Sequence, residues 1–200
     1  MATRRRSAIK PLQRYRLRID LADVKPLIWR TLWVEGQFTL IQLHHIIQAA
    51  MGWTDSHLHQ FDIGGQRYAT PHEEDLIEPP PIDERKVRLN DLLTVGLRFD
   101  YLYDFGDGWL HHIAVEEALP MKDPYGSAHV EAGARACPPE DCGSAHGYQL
   151  FLDGLAKAPR DADIVSFLEW AGKDFNPDRF DRHAANAALL RMAWNRWGEN

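Results

Sequence analysis

The stretch Tyr101-Leu102-Tyr103-Asp104-Phe105-Gly106-Asp107-Gly108-Trp109-Leu110-His111-His112 decides the fold of this chain. Apolar and polar residues alternate on both sides of its centre, as they do in half-buried β-strands. Residues 104–108 between the two runs contain two glycines and two aspartates. Glycine supplies positive φ angles and aspartate hydrogen-bonds turn backbone, so the stretch predicts a β-hairpin with a five-residue loop. Two acids and two histidines also converge here, which makes the hairpin the first place to look for a site.

Composition predicts a globular protein of the cytoplasm. Two hundred residues, 44% hydrophobic and 26% charged, are enough to bury a core, and no apolar run approaches the length needed to span a bilayer. The N-terminus has no hydrophobic segment of the signal-peptide type, and two cysteines in such a chain favour a reducing compartment. We expect a basic disordered arm over residues 1–12, a single domain over residues 13–200, and no membrane partner.

Charge is distributed unevenly along the chain. Residues 1–20 contain seven basic residues and one acid, although the whole chain carries a net charge of −6. Such an arm can make weak, non-specific nucleic-acid contacts between Arg4 and Arg18, or it can be a solvated tail. The acidic remainder would repel a duplex, which argues against a dedicated DNA-binding domain.

Hydrophobic periodicity outlines the remaining elements. Strands are predicted at residues 14–21, 27–34, 57–63, 66–69 and 97–104. A helix is predicted from an N-cap at Thr39 to Met51, with Gly52 after it, and three more at 148–156, 162–170 and 180–197. Residues 71–85 and 120–147 are rich in proline or glycine and are expected to be loops. Strands followed by helices indicate an α+β fold: a mostly antiparallel sheet with one inserted helix and a C-terminal helical layer.

Several residues could carry chemistry. His57 and His59 share one face of a predicted strand, a spacing that metals use, although buried histidines that only hydrogen-bond also fit. Cys137 and Cys142 would add thiolates and shift the preference toward Zn²⁺. The wider candidate site consists of Arg30, Asp104, Asp107, Trp109, His111, Glu140 and Asp141. We expect it where the hairpin, the His57 strand and the cysteine loop meet.

These residues leave two functions open. One is a binding module in which aromatic side chains line a cleft for an unknown protein or small-molecule ligand. The alternative is a metal-dependent hydrolase with a His/Asp/Cys site. Arg30, among apolar neighbours, is expected either to pair with a carboxylate or to lie at a sheet edge and reach water. Asp104 and Asp107 could also serve only the turn backbone.

A resemblance to a known family is carried chiefly by four segments, with shorter matches at residues 43–48, 147–148, 175–177 and 186. The four segments are Pro26-Leu27-Ile28-Trp29-Arg30, Gly52-Trp53-Thr54-Asp55-Ser56-His57-Leu58-His59-Gln60-Phe61, Tyr103-Asp104-Phe105-Gly106-Asp107-Gly108-Trp109-Leu110-His111 and Cys137-Pro138-Pro139-Glu140-Asp141-Cys142-Gly143. With them, roughly residues 12–190 resemble the plasmid ORF-three-like proteins of the pRiA type, also labelled TnpR or resolvase-like passenger proteins of insertion elements. The resemblance implies a compact α+β fold of its own type and no established activity. Ser144 departs from the family's glycine.

The resolvase label does not fit the residues. A serine recombinase needs a nucleophilic serine near several arginines and a DNA-binding helix-turn-helix. Ser7 lies in the basic arm with no hydrophobic strand before it, and the C-terminal helices carry few basic residues. Recombinase activity is therefore not expected.

Overall fold

A computed structural model describes residues 11–71, 79–157, 161–172 and 174–196. Its strands are β1 (Gln13–Leu21), β2 (Trp29–Glu35), β3 (His59–Ile63), β4 (Gln66–Ala69), β5 (Ile82–Asp83), β6 (Arg98–Tyr103), β7 (Trp109–Pro120) and β8 (His129–Ala134). Its helices are α1 (Leu40–Met51), α2 (Leu89–Leu92), α3 (Ser144–Leu155), α4 (Ala162–Ala171) and α5 (Arg182–Trp194). The strands form one sheet in the order β5-β4-β3-β6-β7-β1-β2-β8, antiparallel except for β4–β5. The predicted α+β class is confirmed.

The predicted hairpin lies at the middle of this sheet. Tyr103 pairs with Trp109 across the turn, and the five residues between them form the loop. Asp104 and Gly108 both have positive φ angles, of 57° and 70°. The Asp104 carboxylate accepts a hydrogen bond from the Gly106 amide at 2.9 Å, as expected for an aspartate in a turn. One face of the hairpin is buried, so its aromatic and histidine side chains join the core.

The core fills the space between this sheet face and α1. The alternating residues of β1 (Tyr15, Leu17, Ile19 and Leu21) are fully buried. Helix α1 begins with a capping box at Thr39 and ends at Gly52, whose φ of 96° is left-handed and favours glycine. Both predicted ends of this helix are confirmed. No helix within the described ranges is long and apolar enough to cross a membrane.

The segment 120–147 differs from the prediction of a long irregular loop. It contains β8, which pairs with β2, and α3 already begins at Ser144. Strand β8 contains a glycine and two alanines, which are weak strand formers. At Gly133 a larger residue would not fit, because a Cβ there would lie 2.6 Å from the Phe180 ring. Tertiary packing therefore imposes a strand where local propensity predicts none.

Arg30 corrects a second expectation. Its strand is not at an edge, its side chain is 1% exposed, and no carboxylate pairs with it among the described residues. The guanidinium instead donates to the carbonyls of Trp29, Ala50 and Ala134 at 2.8–3.0 Å and lies 3.8 Å from the Phe180 ring centroid. Burial lowers the pKa of Arg30 to about 10, so the side chain stays charged at neutral pH. It holds β2, β8 and the end of α1 together.

Some predictions fall outside the described residues. These are Arg4, Arg5, Arg6 and Lys10 of the basic arm, residues 72–78 of the acidic loop, and the end of the last predicted helix. Nucleic-acid contact through the arm stays a prediction. Within β1, Arg16 already pairs with Glu116 and Glu131, and Arg18 covers the Trp29 ring at 3.8 Å.

Candidate functional site

Three segments meet at the tip of the central hairpin. They are the hairpin turn 104–108, the connector 53–58 between α1 and β3, and the loop 137–143. Trp53 donates its indole N–H to the Pro138 carbonyl at 2.9 Å, which fixes the connector to the loop. The Gly143 amide donates to the Asp107 carboxylate at 3.2 Å, which fixes the loop to the turn. The structure therefore brings together the segments in which the sequence predicted a site.

An imidazole faces three carboxylates at this junction. His57 Nε2 lies 3.1 Å from Asp141 Oδ1, 3.5 Å from Glu140 Oε2 and 3.7 Å from Asp104 Oδ2. None of these contacts has hydrogen-bond geometry, and Nε2 is buried without a hydrogen-bond partner among the described residues. No lysine or arginine of the described ranges forms an ion pair with these acids. We call His57, Asp104, Glu140 and Asp141 the His57 cluster.

The ligand atoms of this cluster have the spacing of a metal site. Single ligand atoms of His57, Asp104 and Asp141 all lie within 4.8 Å of one another. Ligands bound to one ion at about 2.0–2.2 Å are separated by distances of this order. Three carboxylates beside one imidazole carry excess negative charge, which a divalent cation would offset. Nitrogen with oxygen ligands suits Zn²⁺, Mn²⁺ or Fe²⁺.

The backbone aims these carboxylates before any ion binds. Asp104 has φ 57° and Asp141 has φ 58°, so both lie in the left-handed region. One oxygen of Asp104 accepts the turn amides of Gly106 and Asp107, which leaves Oδ2 toward His57. The turn amides thus orient the Asp104 carboxylate by binding Oδ1. Hydrogen bonds to metal ligands have the same orienting role in metal sites.

Glu140 supports the cluster from the loop. Its Oε1 accepts hydrogen bonds from the Thr54 amide at 2.6 Å and from the Tyr103 hydroxyl at 3.1 Å. The same Tyr103 hydroxyl accepts from the Ser56 amide at 3.0 Å. Glu140 therefore ties the loop to the connector that carries His57.

The structure does not bring the four predicted metal ligands together. His57 precedes β3 and lies in a bend, so the strand alternation that placed it beside His59 does not apply to it. His59 Nε2 contacts Glu84 Oε2 at 2.9 Å. Cys137 and Cys142 are free thiols outside both groups of possible metal ligands in the described chain. Burial raises the pKa of Cys142 to about 12 and that of Cys137 further, which disfavours the thiolates that metals bind.

The four other candidate residues lie outside the His57 cluster and hold the segments around it. Trp109 and His111 are buried in the core, and Trp53 packs near both rings, with centroids at 6.0 and 5.3 Å. His111 Nδ1 contacts the Trp109 carbonyl at 3.0 Å, and burial lowers the pKa of His111 to about 4. Asp107 and Arg30 likewise position segments and do not face the His57 cluster.

A second group of histidines lies beside the first. His44 Nε2 lies 2.6 Å from Asp55 Oδ1, and its Nδ1 lies 2.7 Å from the Tyr101 hydroxyl. Asp55 also contacts His45 Nδ1 at 3.0 Å. Burial lowers the pKa of His44 to about 4. Burial alone would raise the pKa of Asp55, but its hydrogen bonds to the two imidazoles hold that pKa well below the usual range. Because both nitrogens of His44 already have partners, this group is a hydrogen-bonded cluster.

His44 and His59 stack face to face. Their ring centroids are 3.4 Å apart and their planes differ by 3°. Glu84, fully buried, accepts from the Thr70 hydroxyl at 2.7 Å and contacts His59 with its other oxygen. Burial would raise the pKa of Glu84, but the hydrogen bond to His59 keeps it lowered. Asp55 and Glu84 gave no local signal in the sequence because the histidines that they contact lie in other elements of the fold.

A cleft of about 320 Å³ opens beside both histidine groups. His57 and His59 line it, together with Phe105 and Leu58, each 54% exposed. Its other described lining residues include Ile41, Pro81, Thr70 and Arg67. Apolar walls with a few convergent polar groups are typical of small-molecule sites.

The comparisons with known proteins agree with this architecture and assign no activity. The family model described as plasmid pRiA4b ORF-3-like protein matches residues 13–184. An uncharacterized protein of Sinorhizobium fredii, y4hQ, is 39% identical over 180 residues, which is 89% of each chain. The crystal structure of a protein of unknown function from Methanosarcina mazei Go1, MM3350, has a TM-score of 0.77 and 32% identity, covering 86% of this chain and 97% of that one.

This chain is an α+β protein built on an eight-stranded, mostly antiparallel sheet in its described residues, and the crystal structure of MM3350 has a similar fold. The chain belongs to the plasmid pRiA4b ORF-3-like family.

Proposed function

We propose that this protein binds a divalent transition-metal ion at the His57 cluster and a small molecule in the adjacent cleft. The observation that carries the proposal is the geometry of His57 Nε2, which faces three carboxylates at 3.1–3.7 Å without a hydrogen bond. A buried polar atom without a partner costs free energy, and an ion between it and the acids would remove that cost. His57 also lines the cleft, so a ligand there would lie near the ion.

His57, Asp104 and Asp141 would hold the ion, and Glu140 would orient the loop. When bound, the ion would supply a Lewis acid that polarises a ligand oxygen. Asp141, with 71% of its side chain exposed, leaves the cluster open toward solvent. An open position is what separates ligand-binding metal sites from closed structural ones. The proposal includes a cytoplasmic location, which the two free thiols support.

Calorimetric titration of chelator-treated protein with Zn²⁺ and Mn²⁺ tests the proposal. We expect one ion per chain in the wild type and no measurable binding in His57→Ala or Asp104→Asn. Asparagine keeps an oxygen for the turn amides and tolerates the left-handed backbone, so Asp104→Asn removes a ligand without removing the turn. Glu140→Gln should weaken binding by about 10–100-fold because it disturbs an outer support.

His112→Ala is the matched control. His112 contacts Asp100 at 2.8 Å in an exposed His–Asp pair on the other face of the hairpin. The His112→Ala variant should bind the metal ion with the same affinity as the wild type. Equal affinity in His57→Ala and wild type would refute the proposed ligand set.

A further inference from the structure

His59 is a nearly buried histidine in the wall of the cleft. Its side chain is 9% exposed, and it lines the cleft. Nε2 contacts the buried Glu84 carboxylate, whereas Nδ1 has no hydrogen-bond partner in the part of the chain that the structure describes. A nearly buried imidazole that lines a cleft and has one ring nitrogen without a protein partner can hydrogen-bond to a ligand in that cleft.

The Glu84 contact decides which nitrogen carries the proton. A carboxylate only accepts hydrogen bonds, and Thr70 already donates to one of its oxygens at 2.7 Å. The other oxygen needs the N–H of His59 Nε2, which leaves a lone pair on Nδ1 in the neutral ring. A carboxylate that fixes a histidine tautomer in this way is a recurrent device of functional sites. The parallel His44 ring at 3.4 Å also fixes the ring plane.

Most of the exposed surface of the cleft is apolar, although His44, Asp55 and Arg67 also line it. Phe105 and Leu58 expose more than half of their side chains at the cleft, and Ile41 and Pro81 extend the apolar lining. Burial of a flat apolar ligand against them is favourable, and the Phe105 ring can pack against an aromatic one.

From these contacts we infer that the cleft binds a flat, apolar small molecule that carries an O–H or N–H group, and that this group donates to His59 Nδ1. Glu84 is the positioning residue. The inference rests on the cleft being the ligand site of the proposed function, but it does not depend on the metal. The ligands that fit this description have in common a neutral hydrogen-bond donor attached to an aromatic or other flat apolar group.

The tautomer can be read directly by ¹⁵N NMR of the histidine rings in metal-free protein at neutral pH. We expect His59 to carry its proton on Nε2, with Nδ1 unprotonated. Protonation of Nδ1, whether Nε2 is bare or also protonated, would overturn the inference, because no acceptor would then face the cleft.

Ligand recognition is tested with 2-naphthol and its methyl ether, 2-methoxynaphthalene, which has the same ring system without a donor. In chelator-treated wild type, 2-naphthol should bind about tenfold tighter, the value of one hydrogen bond in a partly buried site. His59→Phe should bind both probes equally, and the control His112→Phe should discriminate as the wild type does. Equal binding by the wild type, or retained discrimination in His59→Phe, would overturn the inference.

A second variant guards against a folding defect. Glu84→Gln keeps the side-chain shape but no longer requires an N–H on Nε2, so discrimination should fall together with the Nε2–H tautomer. Unchanged discrimination with a changed tautomer would contradict the role of Glu84. His59→Phe should still bind Zn²⁺, because His59 lies outside the His57 cluster; that measurement separates failure of the cleft from failure of the metal site.

Discussion

Two buried histidines predict an acid-sensitive fold. Burial lowers the pKa of both His44 and His111 to about 4, from 6.5 for an exposed histidine. The unfolded chain therefore binds more protons than the folded chain between these values, so the free energy of unfolding must fall as pH falls. Each pH unit within this interval is worth about 1.4 kcal/mol per histidine. Between about pH 7 and about pH 5 the loss is about 2 kcal/mol for each residue.

Urea denaturation of chelator-treated protein at the two pH values measures this loss. His111→Phe removes one of the two titrating groups, so its unfolding free energy should fall by about 2 kcal/mol less than that of the wild type over the same interval. The comparison uses the change with pH because the lost Nδ1 contact to the Trp109 carbonyl shifts stability equally at both values. Equal pH dependence in His111→Phe and wild type, or stability that rises toward pH 5, would refute the reasoning.

Two further predictions concern the packing around Arg30. Gly133→Ala places a Cβ 2.6 Å from Phe180 Cε1 and 2.9 Å from Arg30 Cδ, so thermal or urea unfolding should show a loss of about 1–3 kcal/mol. Adding Phe180→Leu to this variant should recover part of the lost stability. If Gly133→Ala were as stable as the wild type, the close packing of Phe180 on Gly133 would be contradicted. Arg30→Met removes the guanidinium that donates hydrogen bonds to three backbone carbonyls. The free energy of unfolding should therefore fall by about 3 kcal/mol in the same assay. Arg30→Lys should recover only part of this loss of stability, because lysine lacks the planar guanidinium that can donate in several directions. If Arg30→Met were as stable as the wild type, those hydrogen bonds would contribute nothing to stability.

The parts of the fold with local signals were predictable. The hairpin follows from alternation and turn chemistry within residues 99–115, and α1 follows from Thr39, one apolar stripe and Gly52. Strand β8 was missed because it contains weak strand formers, and at Gly133 the small residue is required by Phe180, which is far away in sequence. The predicted surroundings of Arg30 were wrong because its partners are backbone carbonyls, which every residue has and which no sequence pattern reveals.

The site was predictable in place but not in its ligand set. The sequence located it where the hairpin, the His57 region and the loop 137–143 meet, and these segments are in contact. It paired His57 with His59 because both fit one strand face, but β3 begins only at His59. A shift of two residues in a strand boundary thus separates two side chains that alternation would place together. Asp55 and Glu84 acquire their roles only through distant histidines.

Anomalous X-ray diffraction from crystals grown with Zn²⁺ or Mn²⁺, recorded at the metal's absorption edge, tests the central claim most directly. The account predicts one peak within bonding distance of His57 Nε2, Asp104 Oδ2 and Asp141, and no peak in crystals of Asp104→Asn. Crystals with no peak at these residues, or with the ion at Cys137 and Cys142, would contradict it.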